Sequence, residues 1–289
     1  MQITSSISEL RAAVQSARQA GRTIGLVPTM GALHAGHVSL VAAARRGDDF
    51  TVATIFVNPT QFGPHEDFER YPRTLEADLD ALRAAGADLV FVPARDDVYR
   101  PGHATFVEVS GVAEPLEGAC RPGHFRGVAT VVLKLFNMAA PDRAYFGQKD
   151  FQQTLVVRQM VTDFDLPIDV RVCPTVRESD GLAMSSRNAY LSATERRQAT
   201  VLYRSLRRGA ELVAGGERDA RTVLQSMRAV YADAPDVAIE YLEIADRATL
   251  QSLTVIDRPA VAVVAARLGR TRLIDNELLE SVGKPNDET

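Results

Sequence analysis

Thr23-Ile-Gly-Leu-Val-Pro28-Thr-Met-Gly-Ala-Leu-His34-Ala-Gly-His37-Val-Ser-Leu40 is the stretch from which the rest of the chain is read. The apolar run Ile24 to Val27 meets Pro28, a loop with Gly31, Ala32 and Gly36 follows, and an apolar-periodic segment starts at Val38. That pattern reads as buried strand, tight loop and helix start. The first turn of a helix carries N–H groups without intrahelical partners and a partial positive charge, so it suits a phosphate. His34 and His37, three residues apart, face the same way around one turn. Strand–glycine–helix junctions are common, and many bind nothing. The paired imidazoles beside Gly31 and Gly36 single this one out as a phosphate site, because they can donate hydrogen bonds without a permanent charge.

Composition narrows the class. The chain has 289 residues, 46% of them hydrophobic and 24% charged, as in an ordinary globular protein of one large or two modest domains. No apolar run reaches the ~20 residues of a membrane span, and the first residues lack a basic-then-apolar leader, so a cytoplasmic location is expected. Cys120 and Cys173 stand far apart without CxxC spacing, which favours buried or incidental thiols over a disulfide or zinc site. A net charge of −4 and an isoelectric point near 5.8, with no basic block, disfavour a nucleic-acid partner. Of 33 basic residues only Lys134, Lys149 and Lys284 are lysines. An ammonium is a compact, rotatable point charge suited to a shifting phosphoryl oxygen, which draws attention to Lys149.

His34-Ala-Gly-His37 resembles the HxGH signature of the nucleotidyltransferase superfamily related to class I aminoacyl-tRNA synthetases. The longer string from Pro28 to His37 resembles the pantoate–β-alanine ligase family more specifically. Four further strings agree with that family in order and spacing: Phe56-Val-Asn-Pro-Thr-Gln61-Phe62, Gly147-Gln-Lys149-Asp150-Phe-Gln-Gln153, Asp180-Gly-Leu-Ala-Met184-Ser185-Ser186-Arg187, and Leu273-Ile-Asp-Asn276. The resemblance spans nearly the whole chain. It implies ATP contacts from Met30, Gly31, His34, His37, Gly147, Gln148, Lys149, Asp150, Val176, Met184, Ser185, Ser186 and Arg187. It also implies pantoate contacts from Gln61 and Gln153 and a β-alanine contact from Gln61, with His34, His37 and Lys149 as the catalytic donors. Many relatives carry Glu where this chain has Gln148.

Read in order, Ser6-x-x-Glu9 is a capping box opening a helix that ends near Gly21. Residues 51–57 form a buried strand closed by Asn58-Pro59, residues 75–86 a helix, 88–92 a strand and 105–109 another short strand. Glu76, Asp78 and Asp80 read as a solvated helix face, with Asp78 leaning toward a magnesium ion as the other reading. The loop before a helix at 128–140 carries Arg121, His124 and Arg126, either as a mobile basic gate over an anion or as plain surface. Lys134 in that helix reads as solvated or snorkelling. Strand 142–146, helix 151–163 and strand 169–173 follow. Beyond Asn188 come an Arg-rich helix capped by Ser192-x-x-Glu195 and ending near Gly215, a helix at 217–233, and strands at 237–244, 260–267 and 271–275. Only the last six or so residues read as disordered.

Strands alternating with helices imply an α/β protein with a parallel sheet over 1–180 and then a smaller α+β domain over 181–289, the boundary falling within 176–190. The resemblance implies that the first is Rossmann-like and binds ATP and pantoate and that the second is a lid. Each polar string follows an apolar run, so all gather at the carboxyl rim of the sheet. The chemistry that fits is activation of a carboxylate by ATP. In the form the resemblance implies, pantoate attacks the α-phosphate, pyrophosphate leaves, and β-alanine then displaces AMP from the acyl adenylate. Mg²⁺ is expected with the ATP. The resemblance implies a homodimer with small-molecule substrates and neither nucleic-acid nor membrane partners. The alternative is a nucleotidyltransferase that stops at an adenylylated product, which has no use for the Gln61/Gln153 pair. An RNA-binding synthetase-like module is a third class.

Overall fold

The computed structural model describes residues 1–64 and 66–280, which fall into two compact units divided between Val176 and Arg177. The disorder expected at the C-terminus falls outside the described residues. In the first unit the strands are β1 (Gln2–Thr4), β2 (Ile24–Thr29), β3 (Phe50–Ile55), β4 (Leu89–Phe91), β5 (Arg143–Gly147) and β6 (Asp169–Cys173). They pair, all parallel, in the order β1-β4-β3-β2-β5-β6. Between them run α1 (Ile7–Gln19), α2 (Ala35–Gly47), α3 (Leu75–Ala84), the short α4 (Arg95–Val98) and α5 (Glu117–Cys120), α6 (His124–Ala139) and α7 (Phe151–Asp163).

Successive strand residues face opposite sides. Ile24, Leu26, Val52, Leu89 and Phe91 pack with Leu10 and Val14 of α1, Val128 and Val132 of α6 and Val156 of α7. Val27, Ala53, Ile55 and Val90 pack instead with Leu40, Val41 and Ala44 of α2 and Leu79 and Leu82 of α3. With both faces covered, the central strands read as continuous apolar runs, which is why they were legible in the sequence.

Some expectations are redrawn. Segment 105–109 forms no strand; instead the backbone N–H of Val107 donates to Thr130 Oγ1 at 2.9 Å. Only half the first capping box exists: Ser6 Oγ accepts the Glu9 N–H, while the Glu9 carboxylate accepts the Thr4 hydroxyl at 2.5 Å. Asp78 belongs to no solvated face. It is buried, and both its oxygens accept backbone N–H groups of the β2–α2 loop. Helix α6 starts four residues earlier than expected, at His124, where Gly123 (φ 82°) turns the chain into it.

The second unit stacks α8 (Ala193–Ala199), α9 (Val201–Ala214) and α10 (Ala220–Ala229) on an antiparallel sheet of β7 (Val237–Asp246), β8 (Ala260–Leu268) and β9 (Thr271–Leu279). The Ser192/Glu195 capping box is complete, with Glu195 N–H to Ser192 Oγ at 3.3 Å and Ser192 N–H to Glu195 Oε2 at 2.8 Å. The single Arg-rich helix expected here is two, interrupted at Thr200, whose hydroxyl turns back onto the Arg197 carbonyl at 2.8 Å.

Close packing of α6 on the turn after β3 depends on Gly127. A Cβ there would fall 2.3 Å from the Thr60 carbonyl oxygen and 2.7 Å from Gln61 Cα, both backbone atoms that cannot step aside. Gly127→Ala is expected to destabilise the protein by about 1–3 kcal/mol through overpacking. The check is urea unfolding, where a midpoint equal to or above the parent's would contradict this packing account.

Candidate active site

The chain lays down β2, β3 and β4 toward one edge of the sheet, then returns to place β5 and β6 on the other side of β2. Order therefore reverses between β2 and β5, and in an open parallel sheet the crevice outside such a reversal is where ligands bind. The two loops flanking it are 30–34, after β2, and the 3-10 turn Gln148–Asp150, after β5.

The first loop ends in paired imidazoles that cap their own helix. His34 is the N-cap of α2 and its Nδ1 accepts the Gly36 N–H at 3.2 Å; His37 Nδ1 accepts the His34 N–H at 3.4 Å. The ring centroids lie 4.1 Å apart. Because both Nδ1 atoms accept, the proton of each neutral ring sits on Nε2, so each is a hydrogen-bond donor at that atom. Burial lowers the His37 pKa to about 3, with further lowering by the charge of His34 and of Lys149 against an opposing contribution from Asp150. His37 is therefore a neutral donor at physiological pH. The same coupling brings the two loops together: Lys149 and Asp150, more than a hundred residues away in sequence, lie within Coulomb reach of His37. Lys149 Nζ stands 3.5 Å from Asp150 Oδ1.

Gln61, in the turn after β3, is fixed by its neighbours. Its Oε1 accepts Asn58 Nδ2–H at 3.0 Å, and its Nε2 points to Met30 Sδ at 3.1 Å. A second Nε2–H and a second Oε1 lone pair suit a hydroxy acid or an amine. Asn58, which follows strand β3 and lies in the Phe56–Phe62 string, is buried. Its Oδ1 accepts the Thr60 hydroxyl at 2.9 Å and the Tyr99 hydroxyl at 2.8 Å, and its Nδ2 also reaches the Gly127 carbonyl at 3.2 Å. An Asn directly after a buried strand and before Pro was the available signal. The neighbouring amides on α7 differ. Gln152 is buried and staples the 112–117 loop through Val112 O, Pro115 O and Glu117 N–H, whereas half-buried Gln153 takes no part in that staple.

The basic gate takes another form. Arg121 grips Glu66 with two bonds of 2.7 and 2.6 Å, and donates to His124 Nε2 at 3.0 Å. His124 Nδ1–H in turn donates to the Gln61 carbonyl at 2.8 Å. Burial, then the Arg121 charge, lowers the His124 pKa to about 4, so this ring is neutral as well. Arg126 lies over the Phe106 ring at 3.8 Å. Arg121 and His124 thus brace the Gln61 turn, while exposed Arg126 lies against Phe106.

Val176 ends the first unit and is half-buried. Met184, Ser185, Ser186 and Arg187 belong to the second unit, where Ser185 Oγ accepts the Arg187 N–H at 3.3 Å and caps a 3-10 turn, Ser186–Tyr190. Asn188 Nδ2 ties that turn to Glu178 Oε1 at 2.8 Å, and Arg196 of α8 binds Glu178 and Asp180. No helix among the described residues is long and apolar enough to cross a membrane.

The likeness to known proteins extends over this whole arrangement. The family model described as Pantoate-beta-alanine ligase matches residues 2–278. A pantothenate synthetase of Moorella thermoacetica is 52% identical over 97% of this chain and 99% of its own length, and one of a Roseiflexus species 55% identical over 97% and 100%. The crystal structure of pantothenate synthetase from Thermus thermophilus superposes with a TM-score of 0.93 at 48% identity, over 96% of this chain and 99% of that one. A Francisella tularensis pantoate-beta-alanine ligase, solved with Beta-gamma ATP and Beta-alanine, gives 0.79 at 34% identity, over 96% and 97%. Sequence and fold agree from end to end, and the chain belongs to the pantoate–β-alanine ligase family.

Proposed function

We propose that the chain condenses pantoate with β-alanine, driven by cleavage of ATP, by way of a pantoyl adenylate, releasing pyrophosphate and then AMP. The observation that carries the residue assignment is the convergence of the paired imidazoles and the Lys149 loop at the reversal of strand order. A carboxylate is a poor acyl donor because its leaving oxygen is strongly basic. Attack of a pantoate carboxylate oxygen on the α-phosphorus breaks the bond to pyrophosphate and makes the acyl carbon electrophilic. The β-alanine amine then attacks that carbon, loses a proton and expels AMP.

The protein's share is positioning and the stabilisation of charge that builds on phosphate oxygens. His34 and His37 donate from Nε2, and Lys149 adds a point charge beside them. Negative phosphates would raise the proton affinity of His37 above its value in the free protein, which would let it hand a proton to the departing pyrophosphate. Met30, Gly31, Gly147, Gln148, Asp150 and Val176 complete the ATP contacts of the first unit. In the second unit, Met184, Ser185, Ser186 and Arg187 are the residues we assign to ATP, the last three as two hydroxyls and a guanidinium for the polyphosphate. Gln61 and Gln153 hold pantoate, and Gln61 also meets β-alanine. ATP would bring Mg²⁺ held by phosphate oxygens and water.

We also read the working form as a homodimer in the cytoplasm. The dimer rests on the resemblance to the family. Sedimentation giving a monomer at micromolar concentration would count against the dimer.

Three outcomes test the chemistry. Pantoate-dependent exchange of pyrophosphate into ATP is expected without β-alanine, with AMP release only when the amine is added; amine-independent AMP release would overturn the ligation. Lys149→Ala is expected to slow single-turnover adenylation by on the order of 10²–10³, the usual effect of losing one transition-state donor; an unchanged rate would remove Lys149 from the mechanism. Gln153→Ala is expected to raise the pantoate KM about tenfold or more while leaving ATP binding near the parent value, as loss of a substrate hydrogen bond should. Equal losses for both substrates would contradict its role.

A further inference from the structure

The loop that delivers the two imidazoles is strained, and something must hold it. Gly31 and Ala32 both take left-handed backbone angles, φ 78° and 50°, and Ala, unlike Gly, carries a steric penalty for its Cβ there. The kink turns the N–H groups of Ala32 and Leu33 toward one point, the geometry of a backbone anion nest. The anion filling it is internal: Asp78 of α3, with Oδ2 accepting from Ala32 at 2.9 Å and Oδ1 from Leu33 at 2.8 Å. Thr74 Oγ1 donates to the same Oδ1 at 3.2 Å. Asp78 is 2% exposed, and a Cβ on Gly31 would stand 2.9 Å from its Oδ2, so the carboxylate seals the inner side of the loop. The next residue is His34, the N-cap of α2.

We infer that Asp78 is a positioning residue for adenylate formation: by occupying the Ala32–Leu33 nest it holds the left-handed kink that aims His34 and His37 into the crevice. This rests on the reading of those imidazoles as phosphate donors. A ligand anion is kept off the nest and left to the imidazole side of the loop. Both Asp78 oxygens already accept backbone N–H groups, so its carboxylate serves the loop rather than a magnesium ion. Aspartate is specific here. Asparagine keeps one acceptor and turns an NH₂ toward the other N–H, and glutamate is a methylene too long for the space beside Gly31.

The test compares Asp78→Asn with the double variant Ala32→Gly/Asp78→Asn in the full-length protein. Glycine accepts a positive φ without help, so it should return part of what the lost carboxylate held. One readout is the single-turnover rate of pantoyl-adenylate formation at saturating ATP. The other is the ¹⁵N imidazole spectrum of nucleotide-free protein followed through pH, which reports the tautomers and the titration of His37. For the single variant, folded by circular dichroism, we expect adenylation about 10–100-fold slower, the effect of a displacement near 1 Å at reacting groups. The His37 titration should move toward the ordinary imidazole value, and the double variant should recover at least about threefold in rate through removal of the strain. A purely structural role would lower the melting point while leaving the imidazole spectra unchanged, and that result would overturn the inference. So would a rate within about twofold of the parent, or a double variant no faster than the single. Should Asp78→Asn not fold, Thr74→Val, which removes only the hydroxyl donated to Oδ1, takes its place. Adenylation about two- to fivefold slower, with the His37 titration moved, then supports the inference, and both unchanged overturns it. The spectra without nucleotide test the clamp alone; adenylation by His34→Ala and His37→Ala tests the phosphate reading alone.

Discussion

The pairing of β2 with β5, Gly25 opposite Arg143 and Leu26 opposite Ala144, is the constraint on which the rest depends. It joins the half of the sheet that runs β2, β3, β4 to the half that runs β5, β6, and it does so in parallel, so the carboxyl ends of β2 and β5 open on the same rim. A parallel sheet needs helical crossovers on its faces, and these leave the loops after neighbouring strands diverging only where the order reverses. That one gap receives the His34/His37 loop from one side and the Lys149 turn from the other. The remaining polar turn of the unit, around Asn58 and Gln61, follows β3 next door.

Polar groups around this crevice are tuned toward donors of low net charge. His37 and His124 are both held neutral by burial and by neighbouring cations, and the Arg121 charge is matched by Glu66. An enzyme that must build negative charge on phosphate and then release anionic products benefits from such restraint. Neutral N–H donors strengthen as the charge develops, whereas a crowd of free cations would bind substrate, transition state and products alike. Lys149 keeps its charge beside Asp150, at 3.5 Å, and in the proposed reaction a rotatable ammonium would follow the charge as it moves from the α-phosphate to the leaving group.

The second unit holds the turn that carries Ser185, Ser186 and Arg187 by ion pairs. Arg177, the first residue of that unit, binds buried Asp275 at 2.6 and 3.1 Å and lies over the Tyr203 ring at 4.0 Å. Breaking a buried pair of this kind from one side costs about 3–5 kcal/mol. Together with Asn188, Glu178 and Arg196 it fixes segment 177–190 to β9 and α8, so Ser185, Ser186 and Arg187 ride on a braced turn. Asp275 lies in the Leu273–Asn276 string that resembles the family's C-terminal signature, and here that string has a plain structural use.

By itself the sequence determined the alternation of strands and helices, the parallel α/β class of the first unit, the small α+β second unit and the strings that follow strands β2, β3, β5 and β6. These rest on local chemistry: apolar runs buried on both faces, glycines where φ is positive, and Ser192/Glu195 capping a helix within four residues. Tertiary structure alone decided what depends on partners distant in the chain. Asp78 looked like one of three acids on a wet helix until α3 was laid beside the β2–α2 loop, and Arg121 and His124 looked like free cations until Glu66 and the Gln61 carbonyl met them. Segment 105–109 had the spelling of a strand and found no strand to pair with. Hydrogen-bond donors and charges mean little until their neighbours are known, because burial and a single opposing group reverse what each can do. Periodicity carries the fold, but the state of an ionisable group is a property of the folded neighbourhood.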